Sequence, residues 1–226
     1  MDRFTHSRLE FVILQEHTKH RARRGLMLIA LAVALAGIPL LSPVLAGEEV
    51  KIGDPAPDFT LTDTDGKTHQ LSAYTTDGYA VVLEWFNPDC PFIKKHHEAN
   101  KTMNDLYAQV KDQKVIWLAI NSNAAGKQGH GLERNQKARQ EYAMEMPILL
   151  DEDGKVGRLY QAKTTPHMFL IGADGTLLYD GAIDDDSGRE LGETNYVAEA
   201  LAAYLAGEAI ATPLTKPYGC SVKYTD

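Results

Sequence analysis

The sequence predicts an α/β fold, a central mixed β-sheet flanked by helices and preceded by an N-terminal hairpin. Three features lead there. Ala80-Val81-Val82-Leu83-Glu84-Trp85-Phe86 and Val115-Ile116-Trp117-Leu118-Ala119-Ile120 are short, β-branched and aromatic, as buried strands are. Between them Phe92–Gln109 holds no Gly or Pro, and Phe92, Met103, Leu106 and the following Val110 are candidate core positions of a helix. Strand–helix–strand implies a parallel pair, whereas Met168–Ile171 and Thr176–Tyr179, joined through Ala173-Asp174-Gly175, imply an antiparallel edge.

Taken in order, the chain begins with Arg21, Arg23 and Arg24, an apolar stretch from Leu26 to Leu41 broken at Pro39, and small residues at Val44-Leu45-Ala46. Basic, then apolar, then small is the pattern of a cleaved signal peptide, here residues 1–46. The stretch is short for a span, which needs about 20 apolar residues. Export, periplasmic or secreted, is therefore expected, with a membrane contact only if the segment is retained as an anchor. Phe59-Thr60-Leu61 and Thr68–Leu71 flank Asp65-Gly66 as a hairpin. Asn121–Gly131 reads as a loop, Glu133–Met144 as a helix, Ile148–Leu150 as a strand and Val156–Tyr160 as one or two helical turns. Asp184-Asp185-Asp186 starts an acidic loop, and Tyr196–Ala206 is the final helix. The expected division is a leader over 1–46, one domain over 47–211, and a mobile tail over 212–226 that carries Cys220.

The first 46 residues hold six of the 23 basic and three of the 31 acidic side chains, so the remainder is more acidic than the whole chain at −8. An acidic domain is a poor partner for nucleic acid or an anionic membrane surface. Gly126-Lys127 lacks both the preceding Gly and the following Ser or Thr of a phosphate-binding loop. His96 and His97 invite a metal reading with Cys90. On one helix, however, Cys90 and His97 lie two turns apart and could share an ion only with a further ligand. No metal or organic cofactor is implied. Lys94 and Lys95 could add positive potential at the helix start, or form a solvated face.

The chemistry points to Cys90. It lies where the strand ending at Phe86 meets a helix opened by Pro91, a residue pre-set for the first helical turn. Unpaired N–H groups and the helix dipole there favour the thiolate, the nucleophilic form of cysteine. Cys220 is the other cysteine of the chain, and its readings stay open at this point: a resolving thiol for oxidised Cys90, a static staple, or a bridge to another chain. The resolving role is favoured, because a sulfenic acid condenses with a nearby thiol and because disulfides persist outside the cytosol. His167 reads as a packed strand residue and Trp85 as core.

Gly53-Asp54-Pro55-Ala56-Pro57-Asp58-Phe59, Trp85–Pro91, Thr164-Thr165-Pro166-His167-Met168-Phe169-Leu170-Ile171, and Asp174-Gly175 with Tyr179-Asp180-Gly181 together resemble the thioredoxin-fold redoxins of the alkyl hydroperoxide reductase/thiol-specific antioxidant superfamily. The resemblance covers roughly Val50 to Gly207. It implies a thioredoxin-like fold, a cis Thr165–Pro166 bond facing Cys90, and peroxide or disulfide reduction with a thiol electron donor. The sequence departs from relatives in three ways. Ile93 stands where thioredoxin-type reductases carry their second cysteine. Asn87 stands where peroxiredoxins have Thr. No arginine matches their peroxide-polarising one, Arg158 being nearest in order. The expected function is thus an exported thiol-dependent oxidoreductase acting through Cys90, with Asn87, Thr165 and Pro166 around it and Cys220 resolving. The rival is a non-catalytic binding module stapled by Cys90–Cys220.

Overall fold

The computed structural model describes residues 50–225; the expected leader over 1–46 lies outside them. Among the described residues nine strands and six α-helices follow in the order β1 (Thr60–Asp63), β2 (Thr68–Gln70), α1 (Leu71–Thr76), β3 (Ala80–Trp85), α2 (Pro91–Lys94), α3 (Thr102–Val110), β4 (Val115–Asn121), α4 (Leu132–Glu141), β5 (Ile148–Leu150), α5 (Lys155–Leu159), β6 (Thr164–Thr165), β7 (Met168–Ile171), β8 (Leu177–Gly181), α6 (Tyr196–Ala206) and β9 (Cys220–Ser221). Seven strands form one sheet in the order β2-β1-β5-β4-β3-β7-β8, and β6 pairs with β9 apart from it. The expected parallel pair is β3–β4, with Leu83 opposite Leu118, and β4–β5 is also parallel. The hairpin β7–β8 and the pair β3–β7 are antiparallel. The expected N-terminal hairpin is β1–β2, though Leu71 opens α1 rather than ending a strand.

Side-chain alternation along the pleat divides the core between the two faces of the sheet. Val82 of β3 and Phe86 just after it, with Trp117 and Ala119 of β4, pack on Ile93, Met103, Leu106, Ala138 and Val197. Val81, Leu83 and Trp85 face Leu71, Val156 and Tyr160 on the other side. Every residue of β3 is buried, as befits a central strand covered on both faces. Glu84 falls on the α2–α3 face, so its carboxylate is enclosed and must be paired. His97 Nε2 lies 2.7 Å from one of its oxygens, and the Trp117 indole donates to the other at 3.0 Å. Burial opposes a charged His97, but the Glu84 charge and the bonds from Glu84 and Asn104 outweigh it, so its pKa is raised.

The helix expected over Phe92–Gln109 is not continuous. α2 passes into a wider π turn over Lys95–Ala99, and Lys101 adopts a left-handed conformation with φ 54° before α3 begins. Asn100 ends the turn by donating both its backbone N–H and its side-chain amide to the Lys95 carbonyl, at 3.1 and 3.0 Å. An isolated π turn inside a helix is costly and tends to mark a functional region. Here it turns Lys95, His96 and His97 inward together, so Lys95 is buried rather than part of a solvated face.

The C-terminal segment is a docked strap, not a mobile tail. At one end, Asp180 N–H donates to the Pro213 carbonyl and Thr215 N–H to the Asp180 carbonyl, each at 3.0 Å. In the middle, β9 pairs antiparallel with β6, Thr165 opposite Cys220. At the far end, Val222 N–H reaches the Lys163 carbonyl at 3.1 Å, and Ala124 N–H the Lys223 carbonyl at 2.8 Å. The Tyr224 hydroxyl donates to the Ala162 carbonyl at 2.9 Å. Among the described residues no helix is long and apolar enough to cross a membrane.

Candidate active site

Cys90 stands at the N-cap of α2, with extended dihedrals, φ −75° and ψ 126°. Its carbonyl accepts the first helical bond from Lys94 N–H at 3.0 Å, and its own N–H donates to the Asn87 carbonyl at 3.0 Å. The Asn87 side chain accepts from Asp89 N–H at 2.9 Å, an Asx turn that bends the chain from β3 into α2. α4 holds the outside of this bend. The Arg134 guanidinium grips Asp89, 2.9 Å from Nε and 2.8 Å from an amino group, while the Tyr142 hydroxyl donates to the Pro88 carbonyl at 2.6 Å.

The expected cis bond at Thr165–Pro166 is present. The Cys90 thiol is fully buried and donates to the Thr165 carbonyl oxygen at 2.9 Å. Cys220 is in register with that same Thr165. Both thiols are free, and Cys90 is near enough to perturb the Cys220 thiol. Burial, the hydrogen bond with Cys90 and the Cys90 charge push the Cys220 thiol up to about 11, against a weak opposing pull from Lys223. Gly219 makes the close approach feasible. Its φ is +137°, and a Cβ there would overlap the Thr165 carbonyl oxygen and lie 2.8 Å from its carbon. The strap thus seals Cys90 and brings a second thiol to it, which the missing cysteine at Ile93 could not do.

Of the residues predicted from sequence, Cys90, Thr165, Pro166 and Cys220 converge at one point. Asn87 shapes the bend, and its amide nitrogen is buried without a partner among the described residues. His167 and Trp85 are packed as expected. The His167 Nδ1 accepts from Lys163 N–H at 3.2 Å, so the Nε2 hydrogen points at Asp180, 2.6 Å away, and no ring nitrogen is left to act as a base. His96 and His97 point to Tyr218 and Glu84, and no cluster among the described residues could hold a metal ion. Arg158, the nearest arginine in order, lies instead on the far end of the strap, its guanidinium stacked on the Tyr224 ring at 4.6 Å and bonded to the Thr225 carbonyl.

Arg134, Gly219 and Tyr218 drew no expectation from the sequence, and Lys95 and Asp184 were read there without a place at this site. The signals were present but mute. Glycine and tyrosine beside Cys220 have no local pattern, and Asp184 opens what reads as an acidic solvated loop yet is itself buried.

Residues 52–180 match the model of the AhpC/TSA family. The chain belongs to that family. A curated relative, the thiol-disulfide oxidoreductase ResA of Bacillus subtilis, is 29% identical over 157 residues, covering 69% of this chain and 80% of that protein. A solved structure of a conserved protein from Geobacillus kaustophilus superposes with a TM-score of 0.68 at 30% identity, covering 79% of this chain and 94% of that one. The thioredoxin domain of a thiol-disulfide oxidoreductase from Bacteroides vulgatus, at 20% identity and a TM-score of 0.50, covers 58% of this chain and 89% of that one and shares the fold alone. The fold is thioredoxin-like, as the family resemblance implied.

Proposed function

We propose that the protein is a thiol–disulfide oxidoreductase whose redox couple is split between the start of α2 and the C-terminal strap, Cys90 as nucleophile and Cys220 as resolving thiol. The observation that carries this reading is the shared contact at Thr165, whose carbonyl takes the Cys90 thiol at 2.9 Å while its strand register faces Cys220. The thiol–disulfide activity named for the curated relative supports it.

The steps balance. The Cys90 thiolate attacks one sulfur of a substrate disulfide; the substrate S–S bond breaks, one thiolate leaves and is protonated by solvent, and Cys90 is left in a mixed disulfide. The Cys220 thiol gives up its proton and attacks the Cys90 sulfur, expelling the second substrate thiolate. The substrate gains two electrons and two protons, the protein loses both and holds a Cys90–Cys220 bond, and an external thiol donor restores the dithiol. Because Cys90 is sealed, the substrate enters as the Cys220 stretch of the strap yields. Disulfide is favoured over peroxide as substrate because the arginine attached to this loop, Arg134, is engaged by Asp89, Glu141 and the Pro88 carbonyl rather than turned toward the sulfur. The basic-apolar N-terminal pattern supports an exported setting with residues 1–46 as leader, the redoxin domain over 47–211 and the strap over 212–226.

The test is reaction of the reduced protein with oxidised glutathione and mass mapping. The wild type should end with Cys90 bonded to Cys220, Cys220→Ser with glutathione held on Cys90, and Cys90→Ser unreacted. A wild type without the internal bond, together with Cys220→Ser turning over at the wild-type rate, refutes the resolving role. An internal bond with a potential below about −300 mV would mark a staple and favour the binding-module reading.

A further inference from the structure

Beside the two thiols lies a buried polar cluster that the steps above leave unused. The Tyr218 ring, two residues before Cys220, packs edge-on against Phe92 of α2 at 5.6 Å. Its hydroxyl bonds Asp184, lies 2.9 Å from His96 Nε2 and 3.5 Å from Lys95 Nζ. Lys95 Nζ in turn donates to the Asp186 carbonyl at 2.7 Å and lies 3.8 Å from Asp184. Burial and the Asp184 carboxylate push the Tyr218 hydroxyl far above its ordinary value, so its hydrogen stays on Asp184. Burial lowers His96 to about 4, opposed by Asp184 and aided by Lys95 and His97. His96 is therefore neutral near pH 7 and donates its Nε2 hydrogen to the Tyr218 oxygen.

We propose that Tyr218 is a positioning residue, anchored by Asp184, His96 and Lys95 so that Gly219 and Cys220 are held against Thr165 and Cys90. This rests on the Cys90–Cys220 reading. The π turn supplies Lys95 and His96, so the helix that begins at Cys90 also fixes the residue that aims the second thiol. When a substrate sulfur occupies Cys90, the Cys220 stretch must swing aside. The anchor two residues away keeps the thiol at high effective concentration during that swing. Tyr218 touches neither sulfur, so its effect falls on the resolving step.

The experiment follows the two glutathiones released when the reduced full chain meets one oxidised glutathione. The first leaves on Cys90 attack, the second on Cys220 attack. Tyr218→Phe keeps the ring contact with Phe92 and removes the hydroxyl. It should slow the second release about tenfold, the scale of a lost hydrogen bond to a charged group, without slowing the first. Tyr160→Phe is the control: it removes a buried hydroxyl bonded to the Pro57 carbonyl at 2.6 Å, outside the Tyr218 cluster, and should slow neither. The proposal is overturned if the second release of Tyr218→Phe stays within about twofold of wild type, if both releases fall together, or if Tyr160→Phe matches it. If Tyr218→Phe does not fold, Asp184→Asn keeps an acceptor without the charge and should slow the second release by about two- to fivefold, no change refuting the proposal. A wild type that releases one glutathione and never forms the internal bond refutes the underlying reading instead, and the proposal with it.

Discussion

Gly219→Ala should open the strap and expose Cys90. A side chain at φ +137° costs about 1–3 kcal/mol where glycine costs none. The new Cβ would also overlap the Thr165 carbonyl, whose carbon is 2.8 Å away, a contact with backbone that no rotamer change relieves. Retreat of the strap costs the β6–β9 bonds in wild type and variant alike, so they cancel in the comparison. The strain alone weighs about 1–3 kcal/mol against the docked strap, which with the overlap is about tenfold or more in the open population at roughly 1.4 kcal/mol per decade. The assay is iodoacetamide labelling of Cys90 in a Cys220→Ser background, at reagent levels where opening is in rapid equilibrium. Labelling should accelerate by about tenfold or more. The buried Trp85 and Trp117 keep their native fluorescence if only the strap has moved. Gly175→Ala, φ +82° with nothing within 4 Å, carries the backbone strain without the overlap and should leave labelling unchanged. Labelling within about threefold of the background variant, or equal acceleration in Gly175→Ala, would show that the strap does not guard Cys90.

Three further outcomes follow from the same geometry. In the reduced protein the Cys220 thiol is pushed up to about 11, and its burial, the largest cause, remains when Cys90 is in the mixed disulfide, so the resolving step should accelerate about tenfold per pH unit across neutral pH, read as second-glutathione release in stopped flow. Because that value is raised, the protonated thiol's contribution to stability is fully present below its unfolded value, about 8.5, and is lost as pH rises through about 11. Glu84→Ala leaves His97 buried without its counter-charge and should destabilise the fold by about 3–5 kcal/mol in urea titration; a loss under about 1 kcal/mol would mean the pair is not charged. Arg134→Met frees Asp89 and the Pro88 carbonyl while the pair is half-exposed, so stability should fall by only about 1 kcal/mol. Its first-glutathione release should slow several-fold as the Cys90 bend loosens, and an unchanged rate would show that Asn87 and Tyr142 hold the bend without it.

The architecture was legible because it rests on short-range pattern. Two apolar runs about a helix stretch implied the parallel β3–β4 pair, turn residues marked the β1–β2 and β7–β8 hairpins, and Tyr196–Ala206 was legible to the residue. The position of Cys90 at a helix start and the cis bond at Thr165–Pro166 were equally local, fixed by Pro91 and by the family segment around Pro166. The break after Lys94 was not, because neither Asn100 nor Lys101 forbids a helix; the π turn forms because burying Lys95, His96 and His97 against Glu84, Asp184 and Tyr218 outweighs a regular ladder. The strap was the larger surprise. Residues 212–226 have no periodicity and two prolines, which reads as a loose end. What docks them is a set of single contacts with residues far away in the chain: Gly219 against Thr165, Tyr218 with His96 and Asp184, Val222 on Lys163, Tyr224 on Ala162. The sequence by itself determined the fold and the position of Cys90 at a helix start without a second cysteine nearby. Only the tertiary structure decided that Cys220 meets it at Thr165, because proximity across 130 positions depends on where the chain packs and not on the spacing of its residues.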